Sequence, residues 1–242
     1  MAAIKKTFVL ILLIFTLTGC ASSLYQSFPL QTEAIKVEQN YVKFVKVGDI
    51  QIADVGKLKT STALKNKLVV ALKRYPKINT KYLTDVWLIE EDKDQDILGK
   101  YVYAEKAIYI VIKKYSDEEI VDTFYHELGH AIHLSMTVQA ENAFYKMFLK
   151  RLKVLGYKKS LGSGWRTVKD IRGFPSYYSL KSFWEYFAEH FRVSSMRPEY
   201  HKKKFKPEHE LLKKFNLLPV KKIKKTKKNE KTKLKKSYCR AA

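Results

Sequence analysis

Apolar positions change their period along this chain, and the change places the elements. From Thr62 to Tyr75 (TALKNKLVVALKRY) they recur at helical spacing until Pro76 ends the run. Asp85 to Glu90 (DVWLIE) reads as a strand, and the acidic stretch Glu90 to Gly99 as a loop. Tyr101–Tyr103 and Ala107–Ile112 are short β-branched and aromatic runs separated by a few polar residues, which predicts a hairpin. Ser116 with Glu119 three residues on is a capping-box pattern, opening a helix through Ile120, Val121, Phe124 and Leu128 to Leu134. Further helices are predicted over Gln139–Leu155, stopped by Gly156, over Leu180–Ser195, ended before Pro198, and over Pro207–Phe215. Gly156 to Ser179 reads mainly as a loop. Strands come early and helices late, an α+β order with a small sheet. The stretch Leu30–Leu58 receives no assignment.

The ends of the chain add an address. Lys5 and Lys6 precede an apolar run, Thr7 to Leu17, that is short for a span of roughly 20 residues. Leu17-Thr18-Gly19-Cys20 follows and resembles the bacterial lipobox, in which the cysteine carries lipid in the mature protein. The expected organisation is a lipoprotein signal peptide over 1–19, a lipidated tether over 20–29, one domain over 30–216 and a basic disordered tail over 217–242. Location on the outer face of a membrane follows, with the protein held there by Cys20 or shed from it. With Cys20 lipidated, Cys239 has no partner for an intramolecular disulfide, so the domain must rest on its core. The 46% of apolar residues is a globular value that permits this.

Charge is unevenly spread. The formal net charge is +23, and His201 to Ala242 supplies +14 of it, 17 Lys or Arg against three Glu. Lys221 to Lys236 is low in apolar residues and self-repelling. An exported chain is not expected to meet nucleic acid, so the partners proposed for this run are anionic lipid or an acidic wall polymer. A solvated tail without a partner is the plainer alternative.

The candidate chemistry lies in Phe124-Tyr125-His126-Glu127-Leu128-Gly129-His130. On a helix His126 and His130 stand one turn apart on one face, about 6 Å between side-chain roots. Two imidazoles so placed can hold one Zn²⁺, and Glu127, about 100° round the helix, can act as general base on a water. A metzincin needs Gly at 133 and His at 136. The chain has His133 and Met136, so that subclass fails; His133, about 4.5 Å further along the axis, is expected to pack or to support a ligand rather than bind the ion, and the third ligand is expected to be a carboxylate. Glu185 and Glu189 are i and i+4 on a largely apolar helix, Phe183 to Phe191. One of them can be the ligand and the other the acceptor for a ligand imidazole N–H; the alternative is a helix surface paired with Lys or Arg.

His126-Glu127-x-x-His130, then Tyr178, then Glu185 within Glu185-Tyr186-Phe187-Ala188-Glu189-His190-Phe191, resembles the anthrax-lethal-factor-like metallopeptidases. That group includes the small secreted Pro-Pro endopeptidases. The similarity runs over residues 60–216 and is strongest in the two motif helices. It implies a zincin-like domain with one zinc ion per chain. It also implies Glu185 as third ligand, Glu189 as the carboxylate behind a ligand histidine, and Tyr178 as donor to the oxyanion, with the adjacent Tyr177 an alternative. The substrate, a protein or peptide, would lie along an edge strand formed by Ala107, Ile108, Tyr109 and Ile110. A second class of function stays open at this point: a non-catalytic envelope lipoprotein that binds anionic polymers or membrane through its basic tail. Glu127 argues against it, because a purely structural zinc site has no use for that residue.

Overall fold

The computed structural model describes residues 44–55, 60–90, 97–113 and 115–220. The signal peptide, Cys20, the tether, most of the Glu90–Gly99 loop and the tail beyond Val220 lie outside them. Five strands form one mixed sheet: β1 (Phe44–Val47), β2 (Ile50–Asp54), β3 (Asp85–Ile89), β4 (Gly99–Val102) and β5 (Ala107–Val111). Their spatial order is β1-β2-β3-β5-β4. The pairs β2–β3 and β3–β5 are parallel, whereas β1–β2 and β4–β5 are antiparallel. The helices are α1 (Thr62–Leu72), α2 (Asp117–Leu134), α3 (Val138–Val154), α4 (Phe183–Met196), α5 (Pro198–Lys204) and α6 (Lys206–Lys214). Mixed α/β structure with a small N-terminal sheet and a helical remainder agrees with the expected α+β class. Among the described residues no helix is long and apolar enough to cross a membrane.

The sheet extends further than the sequence reading placed it. β1 and β2 occupy part of the unassigned stretch, joined by a tight turn at Gly48-Asp49, where Gly48 takes φ 62°. Phe44-Val-Lys-Val followed by Gly-Asp and Ile50-Gln-Ile-Ala is the pattern of a two-residue hairpin. The position of β5 corrects the expectation that Ala107, Ile108, Tyr109 and Ile110 form an edge. β5 lies between β3 and β4, so both of its hydrogen-bonding sides are occupied, and the open edge on that side of the sheet is β4.

Alternation along the strands sends Ile50, Ile52, Val86, Leu88, Ile108 and Ile110 into the main core, where they meet Leu64 and Leu68 of α1 and Phe124 and Leu128 of α2. On the far side of α2 lies α4, whose Phe187 and Phe191 are fully buried. The helix α2 starts where expected, with both hydrogen bonds of the Ser116/Glu119 capping box formed. Gly156 ends α3 in the left-handed conformation, φ 84°, with Tyr157 N–H donating to Leu152 C=O at 2.9 Å. The body continues past residue 216, the expected end of the domain. Asn216 closes α6 at φ 56°, Leu217 N–H donates to Leu212 C=O at 2.8 Å, and the Leu217 side chain is buried. Val220 N–H then reaches Arg74 C=O at 2.7 Å.

The C-terminal helices are fixed to α4 by buried polar groups. Glu208 of α6, fully buried, accepts Arg151 Nε and Nη2 at 2.7 and 2.9 Å and the Tyr186 hydroxyl at 2.8 Å. Beside it runs a chain of three histidines, one from each of α4, α5 and α6. His190 Nδ1 faces His201 Nε2 at 3.0 Å, and His201 Nδ1 faces His209 Nδ1 at 3.3 Å. Burial pushes His190 and His201 down to about 3, so both are neutral in the fold. Unfolded histidine binds its proton near pH 6.5, so between about 3 and 6.5 the unfolded chain holds more protons and stability rises with pH. Wild type should therefore lose more stability than His201→Gln when urea unfolding is moved from pH 7.5 to 5.5. Equal losses in the two proteins would mean that the chain of rings does not titrate on unfolding.

Candidate metal centre

The site is built where α2 and α4 come together most closely. Gly129 of α2 lies against Ala188 of α4; a Cβ placed on Gly129 would stand 2.9 Å from Ala188 Cα, closer than real side chains approach. Only glycine permits this spacing. It brings the i, i+4 histidines of α2 into register with the i, i+4 glutamates of α4. Ser182 starts α4 by accepting Glu185 N–H at 3.2 Å, so Glu185 sits in the first turn, where a carboxylate is favoured.

The donor atoms converge. His126 Nε2 is 3.1 Å from Glu185 Oε2, His130 Nε2 is 3.3 Å from the same oxygen, and the two Nε2 atoms are 3.2 Å apart. Ligands at the usual zinc bond lengths stand about 3.3 Å apart around a tetrahedral ion. His126, His130 and Glu185 are also the one group of three such residues, among those described, whose ligand atoms all lie within 4.8 Å of one another.

The protons on the rings bear on the fit. Glu189 Oε1 is 2.8 Å from His126 Nδ1, and both Glu189 oxygens accept from Arg192, Nε and Nη2, at 2.9 Å each. Burial alone would raise the Glu189 pKa, but its hydrogen bonds to His126 and Arg192 hold it well below the carboxylate range. Ionised Glu189 therefore fixes the His126 proton on Nδ1 and leaves Nε2 bare. A bare nitrogen facing a carboxylate oxygen and a second imidazole nitrogen at these distances is repulsive unless a cation lies among them. Without a metal a proton takes that place: burial lowers the His126 pKa, yet Glu185 and Glu189 outweigh it and lift the group to about 10. Glu185 is correspondingly held far below its ordinary value by the histidines, against the effect of burial. His126, His130 and Glu185 thus form a group that could hold a metal ion, and two imidazoles with one carboxylate are a donor set that fits zinc.

Glu127 is buried, and burial, only partly offset by the two histidines and a hydrogen bond from Tyr101 N–H, raises its pKa. That is the direction a general base at neutral pH requires. Gly99 on β4 backs it; a Cβ there would lie 2.6 Å from Thr123 Cγ2 and 3.3 Å from Glu127 Cγ. Tyr178 occupies a short 3₁₀ turn, Tyr178–Leu180, with its ring 5.7 Å from that of His126 and its hydroxyl accepting from Lys181 Nζ at 3.3 Å. Tyr177 points away and is exposed, its hydroxyl 3.5 Å from Lys169 C=O. Of the two tyrosines, only Tyr178 reaches the histidines.

His133 is buried with neither ring nitrogen hydrogen-bonded, packed edge-on at 3.7 Å from the Trp184 ring. That agrees with a packing role. The sequence reading did not identify Arg192, which sets the charge of Glu189 and is itself tied to Asp122 at 2.5 Å. Its place three residues after Glu189 on the same helix was the available signal. Trp165 and Lys181, which flank Tyr178, were also not identified. Comparison with known protein families, curated proteins and solved structures found no match.

A Gly129→Val variant should force α2 and α4 apart. We expect a loss of about 1–3 kcal/mol in urea unfolding and a weaker zinc affinity by competition with a chromophoric chelator. A variant binding zinc as tightly as wild type would show that the helix spacing does not set the donor triangle.

Proposed function

We propose that this chain is a zinc-dependent metalloendopeptidase of the anthrax-lethal-factor-like kind, with a zincin-like catalytic domain. The observation that carries the reading is the triangle of His126 Nε2, His130 Nε2 and Glu185 Oε2, accompanied by the buried Glu127 of the same helix and by the Tyr178 ring 5.7 Å from that of His126. A structural zinc site would need neither of those two flanking groups.

When bound, zinc supplies Lewis acidity that polarises the scissile carbonyl and acidifies water. The remaining chemistry belongs to side chains of this protein. Glu127 takes a proton from the attacking water and passes it to the leaving amine. Tyr178 donates a hydrogen bond to the oxyanion of the tetrahedral state. Burial, and then the charges of Glu185 and Glu127, raise the Tyr178 pKa, so the phenol keeps its proton and stays a donor. Glu189 and Arg192 hold His126 in the tautomer that presents Nε2.

The peptide substrate would add as a strand to β4. Val111 N–H donates to Leu98 C=O at 2.9 Å, and by antiparallel alternation Gly99 and Tyr101 direct their amide groups away from β5. These two residues also border Glu127, so the edge that would hold a substrate backbone runs beside the base. In this reading the lipid on Cys20 keeps the domain at the outer membrane face, and the lysine-rich C-terminal stretch faces anionic lipid or wall polymer.

Elemental analysis of purified residues 21–242 should give about one zinc per chain, lost in Glu185→Ala, and the protein should cleave members of a mixed peptide library. Glu127→Gln should retain zinc while hydrolysis falls by about 10²–10⁴. Tyr178→Phe should retain zinc and lose about 10²–10³ in rate. Full activity in Glu127→Gln would refute the mechanism.

A further inference from the structure

Lys181 has no part in the mechanism above, yet its ammonium group lies at the candidate site. It caps the 3₁₀ turn that carries Tyr178, with Lys181 N–H donating to Tyr178 C=O at 3.0 Å. Its side chain folds back over the Tyr178 ring, placing Nζ 5.0 Å from the ring centroid and 3.3 Å from the hydroxyl oxygen, to which it donates. The backbone here is pinned from a second direction, because Gly162 N–H donates to Lys181 C=O at 3.2 Å. Trp165 closes the ring's other flank edge-on, centroids 5.5 Å apart. The next residue, Ser182, caps α4 and presents Glu185. One turn thus delivers the tyrosine, the ammonium behind it and the third candidate ligand.

We infer that Lys181 is a positioning residue that polarises the Tyr178 hydroxyl and strengthens it as the oxyanion donor. This rests on the peptidase reading of the same site. The phenol oxygen has two roles: through its proton it donates to the oxyanion during reaction, and through its lone pair it accepts from Lys181. A charge-assisted hydrogen bond into that lone pair draws electron density from the O–H, and hydrogen bonds in series reinforce one another. The ammonium also opposes the negative field of Glu185 and Glu127 at the phenol, and it adds positive charge behind the place where negative charge develops. Lys181 does not touch the reacting atoms in this arrangement; it acts through Tyr178.

The test compares zinc-loaded wild type, Lys181→Met, Lys181→Arg, Tyr178→Phe and the Lys181→Met/Tyr178→Phe double variant. The substrate is a peptide that wild type cleaves. Lys181→Met should keep its zinc and its KM and lose about tenfold in kcat, the order expected when a charge-assisted bond is removed. Lys181→Arg should recover most of the loss. In the Tyr178→Phe background Lys181→Met should cost nothing more. Independently of turnover, the Tyr178 ζ-carbon resonance in ¹³C-tyrosine-labelled protein, assigned by its absence in Tyr178→Phe, should shift in Lys181→Met. Unchanged kcat, a loss confined to KM, or additive losses in the double variant would overturn the inference and leave the peptidase reading intact. If wild type cleaves no peptide, that reading fails, and an unmoved Tyr178 resonance then overturns the Lys181 inference by itself.

Discussion

The arrangement of the site depends on the absence of a single side chain at Gly129. Two helices whose axes lie at ordinary packing distance would leave the histidines of α2 and the glutamates of α4 too far apart to share an ion. Against Ala188 the glycine lets the backbones approach until a Cβ would collide. The i, i+4 spacing of each helix then does the rest, since one turn on α2 matches one turn on α4. The cost of gathering three carboxylates there is met locally. Arg192 neutralises Glu189, Glu189 orients His126, and His126 and His130 face Glu185 across a triangle of donor atoms.

The C-terminal half supports this contact from behind. Phe187 and Phe191 fill the core on the buried side of α4, while Glu208 ties α4 to α3 and α6 through Tyr186 and Arg151. Tyr186 and Glu185 are sequence neighbours with opposite tasks, one directed into the structural network and the other into the metal pocket. The helix carrying the third candidate ligand is therefore braced by hydrogen bonds one residue away from it.

Much of this was legible in the sequence, for physical reasons that differ by element. The capping box at Ser116, the Gly156 stop and the helical period of α1 to α4 are local signals, and local geometry answered them. His126, His130, Glu185 and Glu189 could be paired because two i, i+4 motifs limit one another. Strand order is not local. β5 has the composition of a well-formed strand whether it lies inside a sheet or at its edge, and the topology placed it inside. The β1–β2 hairpin went unassigned although its Gly-Asp turn was visible, and α5, only seven residues long, begins at Pro198, before which a stop had been placed. The histidine chain was invisible because residues 190, 201 and 209 share no period, only a fold that brings three helices together.

The hairpin β4–β5 has a bearing on Glu127 that its position conceals. Gly99 is the one residue of β4 that can lie against Thr123 and Glu127, and it does so because Val102 pairs with Ala107 across the four-residue turn from Tyr103 to Lys106. Side chains alternate along a strand, so a shift of one residue would exchange Gly99 for Leu98 or Lys100 at that spot and drive bulk into Glu127. The same shift would withdraw the Tyr101 amide from the Glu127 carboxylate. The turn closes with Lys106 in the left-handed region at φ 52° and Lys106 N–H on Tyr103 C=O at 3.1 Å. Turn length is thus a hidden coordinate of the candidate site: adding or removing one residue at the solvent-facing tip rewrites the surroundings of Glu127 at the other end of the strand.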